Sequence, residues 1–239
     1  YSERDGRQYV GVSFSNFSAK FALARLFACL LQKVKHLSQT YSSEEIDPYW
    51  TLVCYFNSIR ELGGSIRLVE DDVTKNIGYI TDLIEEYKNN ERRDPGKPHQ
   101  GLEELTGRIT QKGIRSIRER LEKPHTDRES ISTLLATNMI SVGIDIERFG
   151  IMVVVGQTKN SSEYIQATGR IGRREDIPGL VFSFFNPYKP RDLSHYENFI
   201  GYHMKMQKSV ESSTLTPFSI RVIERALHAV FISMIRLSK

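Results

Sequence analysis

Residues 134–174 read LLATNMISVGIDIERFGIMVVVGQTKNSSEYIQATGRIGRR, and this stretch decides the fold. Leu134-Leu135-Ala136 is a short apolar run, and Ile151 to Val155 is a longer one rich in β-branched residues. Both suit strands covered on two faces, as in a parallel sheet. Between them lies a polar, glycine-containing segment, Thr137 to Ile146. After the second run, Ser161 or Ser162 is positioned to cap a helix through Glu163–Thr168 that stops at Gly169. Then follows a cluster of arginines, Arg170, Arg173 and Arg174, interleaved with Gly172.

Cleaving a phosphoanhydride requires cations where charge develops on the transferring phosphoryl group. Guanidinium groups serve well, because they stay charged and fork onto phosphate oxygens. The glycines at 169 and 172 let the backbone approach another surface closely. The plainer alternative is a solvated arginine cluster favoured by the negative end of a helix dipole.

Working outward, Gln8 to Phe14 is β-prone, and Ser15-Asn16 or Ser18 suits the cap of a helix over 17–37. Asp47-Pro48 reads as a break before a strand from Tyr49 to Phe56. Asn57 and Ser58 follow at its C-terminal end, where α/β sheets place ligand contacts, although either also suits an ordinary helix cap. A helical pattern interrupted at Gly63-Gly64 resumes from Thr74 to Tyr87. Residues 89–100, NNERRDPGKPHQ, read as an exposed connection. Further strands are expected near 103, 133 and 179, separated by helices. That alternation argues an α/β fold with a parallel sheet and right-handed crossovers. The tail adds an aromatic helical stretch around 192–203 and a helix over 219–237 that is apolar almost all round and calls for a covering surface. His195 and His203 read as packing or hydrogen-bonding residues rather than metal ligands.

Composition sets bounds. Among 239 residues, 39% are hydrophobic and 26% charged, enough for one large domain with an appendage. A net charge of +4 is compatible with a polyanionic partner without demanding one. Cys29 and Cys54 sit in apolar runs and read as buried thiols of a reducing, cytoplasmic compartment. No metal-ligand spacing, signal peptide or membrane-spanning apolar stretch is visible. The start at Tyr1 without Met predicts a piece of a longer protein.

The residues also carry a resemblance. Ala136 to Ile146 resembles motif V of superfamily 2 helicases and translocases, and QATGRIGR over 166–173 resembles motif VI. Asn57-Ser58 suits motif IV of the same lobe, and Glu103 to Arg108 resembles motif IVa. Longer wording, including YFNSIRELGGSIRLVEDDV, RDLSHYENFIGYH and VESSTLTPFSIRVIERAL, is similar to the helicase subunit family of the bacterial DISARM anti-phage system. It spans most of residues 51–228, with one mild departure at Gly169, where a small residue such as Ser is expected.

The resemblance implies a RecA-like parallel sheet flanked by helices over 1–188, with a C-terminal helical extension over 189–239. It implies arginine fingers at Arg170 and Arg173, reaching the γ-phosphate of ATP, and a coupling role for Gln166. Asp145 would accept a hydrogen bond from the ribose or from a motif VI arginine, and Gly143 would let the loop pass close. Thr137 and Asn138 would hold a strand phosphate, with Asn57, Ser58, Thr106 and Arg108 as further nucleic-acid contacts. ATP and Mg2+ would be bound mainly by the first helicase lobe of the same full-length chain. The implied partners are that lobe, DNA (single-stranded or duplex, without sequence preference) and a DISARM subunit, with no membrane. No Gly-x-x-x-x-Gly-Lys-Ser/Thr loop and no Asp-Glu-x-His/Asp box occurs in these 239 residues, so the chain alone is expected to hydrolyse no ATP. The alternative is a RecA-like binding or scaffolding module without turnover.

Overall fold

The computed structural model describes residues 6–84, 87, 91–95, 101–137, 146–174, 177–210 and 219–238. Six strands form one sheet: β1 (Gln8–Val12), β2 (Leu52–Phe56), β3 (Leu102–Leu105), β4 (Thr133–Ala136), β5 (Ile151–Val155) and β6 (Leu180–Phe184). Their order is β1-β6-β5-β2-β4-β3, and every pairing is parallel. The expected strands near 103, 133, 151 and 179 are all present, as is the one from the β-prone run at residue 8.

Alternation along the strands divides the core into two layers. Leu52, Cys54 and Phe56 of β2, with Ile151 and Val153 of β5, face Phe27 and Leu31 of α1 (Ala19–Leu37) and Ile77 of α5 (Thr74–Leu83). Val53, Tyr55, Met152 and Val154 face the other way, toward Ile117 and Leu121 of α6 (Gln111–Leu121) and Tyr164 and Ala167 of α7 (Ser161–Thr168). Ser18 caps α1, accepting from the Phe21 amide.

Three expectations are corrected. Tyr49 and Trp50 belong to a helix, α2 (Ser43–Trp50), not to the following strand, and Pro48 lies inside it. A reciprocal Ser42–Glu45 capping box starts this helix, and the Pro48 carbonyl then accepts from the Gly150 amide beside the sheet. Cys29 is exposed, because Ala28 and Leu31 set the buried face of α1 and the next residue after Ala28 turns away from it. The connection at 89–100 is not uniformly exposed: Arg93 is 4% accessible and Pro95 is also buried. The Arg93 backbone donates to Gln32 Oε1, and its guanidinium donates to the Leu31 and Trp50 carbonyls and to Ser132 Oγ. It lies over the Trp50 ring at 4.0 Å. Burial pushes its guanidinium down to about 9, still high enough to keep the charge at neutral pH.

Between β2 and α5, two short helices, α3 (Ile59–Leu62) and α4 (Ser65–Arg67), lead into a wide π-helical turn over Leu68–Val73. After β6, α8 (Pro190–Glu197) and α9 (Phe199–Met204) remain within the first compact unit, residues 1–209. A second unit, residues 210–239, holds α10 (Ile220–Leu237), a helix where the apolar tail pattern called for one. No helix among the described residues is long and apolar enough to cross a membrane.

Candidate nucleotide and nucleic-acid site

Because all strands run the same way, the residues that follow them collect along one edge of the sheet. Asn57 and Ser58 follow β2, Thr137 follows β4 and Thr106 follows β3, on three adjacent strands. Ser58 caps α3, accepting from the Glu61 amide at 3.2 Å, as its plainer reading held. Asn57 instead ties β2 to β5: its Nδ2 donates to the Val155 and Gln157 carbonyls, while its buried Oδ1 has no partner among the described residues. The chain clears this amide through Gly156, whose φ of +76° favours glycine. Buried Asp192 completes the corner, accepting from the Gln157 and Asn186 amides. Thr106 is fully buried and its hydroxyl donates to Glu104 Oε1 at 2.8 Å. Thr137 is also buried, and its amide donates to the Leu105 carbonyl. Arg108 is exposed just ahead of α6, whose cap is Thr110. Asn138, Gly143 and Asp145 lie outside the described residues.

The arginine turn sits at the opposite edge. Helix α7 runs back from the end of β5, and its N-cap is Asn160 rather than either serine expected for that role. Gln166 is exposed on this helix, and Gly169 closes it. The turn is then seated by three contacts: the Gly172 amide donates to the Phe149 carbonyl, Arg7 Nε donates to the Ile171 carbonyl, and Gly172 packs on Gly179. Phe149, Arg7 and Gly179 precede β5, β1 and β6 respectively. With φ at +61° and a Cβ position 2.5 Å from the Gly179 nitrogen, residue 172 has room for glycine alone. Ile171 is buried, so Arg170 and Arg173 flank an anchored position; Arg170 is half-buried and Arg173 exposed, with its Nε donating to the Gly169 carbonyl. A polar cleft of about 510 Å³ lies beside the turn, lined by Arg118, Glu122, Ile146, Glu147, Arg148 and Arg174. The fold therefore separates two sets: strand-end groups at one edge, and guanidinium groups at the other.

Two tyrosines that the sequence does not single out fix α7 in place. Tyr55, buried in β2, donates its hydroxyl to Glu163 Oε1 at 2.6 Å, and burial with this carboxylate pushes the phenol well up. Tyr164 reaches Ser183 Oγ at 2.7 Å on β6 and His203 Nε2 at 3.0 Å on α9. Tyrosines at apolar positions signal only packing in a sequence, since their hydroxyl partners come from distant segments. Among the described residues, no group of three or more His, Cys, Asp or Glu is placed to hold a metal ion.

Over residues 78–175 the chain matches the family model described as the helicase conserved C-terminal domain. It is 47% identical over 233 residues to DISARM protein DrmA of Bacillus paralicheniformis, a match covering 97% of this chain and 20% of that protein. The chain thus spans about a fifth of this relative's length. Among solved structures, the DUF1998 helicase MrfA bound to DNA superposes with a TM-score of 0.59 at 17% identity, covering 90% of this chain and 25% of that one. The Mycobacterium smegmatis helicase Lhr bound to ssDNA and AMP-PNP follows at 0.52 and 13%, covering 87% and 22%. At such identities the likeness shows the fold. Domain match, fold and extended identity agree: the chain has a RecA-like fold, matches the helicase conserved C-terminal domain over residues 78–175, and is similar across nearly all its length to a part of DISARM protein DrmA.

Proposed function

We propose that this lobe is the second half of an ATP-driven DNA translocase or helicase in bacterial anti-phage defence, with Arg170 and Arg173 as its arginine fingers. The observation that carries the reading is the seated glycine turn at the end of α7, which holds the backbone between two guanidinium groups against the sheet edge. A solvated arginine cluster needs no such anchoring. Rigid delivery matters because a cation stabilises a transferring phosphoryl group only when it is in place before the charge develops. The phosphate cradle and Mg2+ ligands belong, on this reading, to the first lobe, and the site forms when the lobes close on ATP. Gln166, exposed on α7, faces that interface and couples it to the nucleic-acid track.

The strand ends at the other edge, with Arg108 exposed beside them and Thr137 and Asn138 following β4, contact the DNA backbone, while Gly143 and Asp145 serve the nucleotide. Such contacts position nucleic acid without reading its sequence, as stepping along every base requires. MrfA and Lhr, two solved structures of this fold, are both captured on DNA, which favours DNA as the track.

The test is steady-state ATP hydrolysis by the full-length protein alongside nucleotide-binding titration. Arg173→Ala lowers DNA-stimulated turnover by roughly 10²- to 10³-fold or more, as expected for an arginine finger. Nucleotide affinity changes far less, because the lost interaction belongs to the transition state. Arg173→Lys restores little, since an ammonium lacks the planar fork. Turnover within a few-fold of wild type would leave Arg173 a surface charge and favour the scaffolding alternative.

A further inference from the structure

Helix α7 is held at its middle by a chain of hydrogen bonds whose direction one carbonyl sets. His203 Nδ1 lies 2.8 Å from the Phe199 carbonyl, which can only accept, so this nitrogen carries the proton. In the neutral ring Nε2 is then an acceptor, and the Tyr164 hydroxyl 3.0 Å away donates to it. The Tyr164 oxygen in turn accepts from Ser183 on β6. Two further bonds run in step beside it: Thr168 donates to the Tyr164 carbonyl, and the Tyr9 hydroxyl reaches Thr168 Oγ1 at 3.4 Å. Ring packing surrounds the histidine, with Tyr9 at 4.7 Å and Phe199 at 4.0 Å between centroids.

We propose that His203, on the helix beyond the last strand, is a positioning residue for ATP turnover, holding α7 through Tyr164 so that the arginine turn five residues on is presented in one register. This rests on the motor reading above and adds that the appended helices belong to the ATPase machinery. Neutral His203 is required, because a second N–H would face the Tyr164 oxygen, turn its proton back toward Ser183 and leave the Ser183 proton without its acceptor. The groups facing the ring are Tyr9 from β1, Tyr164 from α7, Tyr202 from its own helix and His195 from α8. Among the described residues, no carboxylate joins them. Burial, reinforced by His195 and opposed by the Phe199 carbonyl, holds the imidazole below its usual pKa, so the ring is neutral at physiological pH. A lowered histidine pKa means that the unfolded chain takes up the proton first. The clamp is therefore fully formed above the ordinary histidine range and weakens as pH falls below it.

The experiment uses the full-length protein in two arms. In the kinetic arm, His203→Ala lowers DNA-stimulated kcat by about tenfold with KM for ATP within about twofold, a loss confined to the transition state. His203→Gln, whose amide oxygen can still accept from Tyr164, recovers most of it and loses the acid limb of the wild-type pH profile, since an amide does not titrate. In the second arm, hydrogen exchange of the segment spanning residues 161–170 is faster in His203→Ala and in Tyr164→Phe. Unchanged exchange in both variants overturns the clamp whatever the kinetics show. Faster exchange with wild-type kcat overturns the link to turnover and leaves the motor reading intact. A wild-type protein without DNA-stimulated turnover overturns the motor reading itself, and the exchange arm still decides whether His203 holds α7.

Discussion

At the scale of single residues, Gly172 carries the most constraint. Its left-handed φ and the 2.5 Å approach to the Gly179 nitrogen leave no room for a side chain on either side of the turn. Gly172→Ala therefore costs about 3 kcal/mol or more, combining strain in the left-handed region with displacement of a neighbouring backbone. Urea unfolding followed by tryptophan fluorescence reads the loss, and an unchanged midpoint would mean that the turn relaxes freely. The value of glycine here was legible in the sequence, because GRIGR places it between two arginines. What the glycine touches was not, since Gly179 and Phe149 reach it through the sheet. Ser58 shows the same division: its cap follows from local spacing, whereas the Asn57 bonds to β5 join segments about a hundred residues apart.

At the scale of elements, the strands were legible and the connections less so. Buried parallel strands announce themselves as continuous apolar runs, so 134–136, 151–155 and 180–184 are read from composition alone. Helix α2 was hidden by Pro48, because a proline usually ends a helix, yet here it falls in the last turn after a capping box has started the helix. The segment at 91–95 looked exposed for a sound reason: charge, proline and glycine signal solvent. Its burial depends on Trp50, the Leu31 carbonyl and Ser132, three partners from three distant places. Among the described residues no carboxylate pairs with Arg93, so dipoles and an aromatic face hold its charge. Arg93→Ala is expected to cost about 3 kcal/mol, the scale of losing a buried polar anchor, and Arg93→Met distinctly less, because it keeps the packing and removes the desolvated charge. Thermal unfolding of the two variants side by side checks the order. If alanine and methionine are equivalent, the segment is not held by this side chain.

At the scale of the molecule, the two candidate sets lie at opposite ends of the strands of one sheet, so the proposed function assigns DNA and nucleotide to different ends of the same unit. A backbone-directed track gives affinity that falls linearly with salt on logarithmic axes and is indifferent to base composition. Fluorescence titration of the full-length protein on DNA of contrasting composition, at several salt concentrations, checks this. A preference that survives across the salt range would mean that bases are read. The order of the strands has a consequence for how the chain is made. Among the described strands, β1 comes earliest along the chain and pairs with β6, the one furthest from it in sequence. On a translating ribosome, Gln8–Val12 therefore waits with its ladder unmet until Leu180–Phe184 has left the tunnel, while β2 to β5 can already assemble. Long-range parallel pairing of this kind is slow to form, and a strand waiting with an open ladder is exposed to mispairing meanwhile.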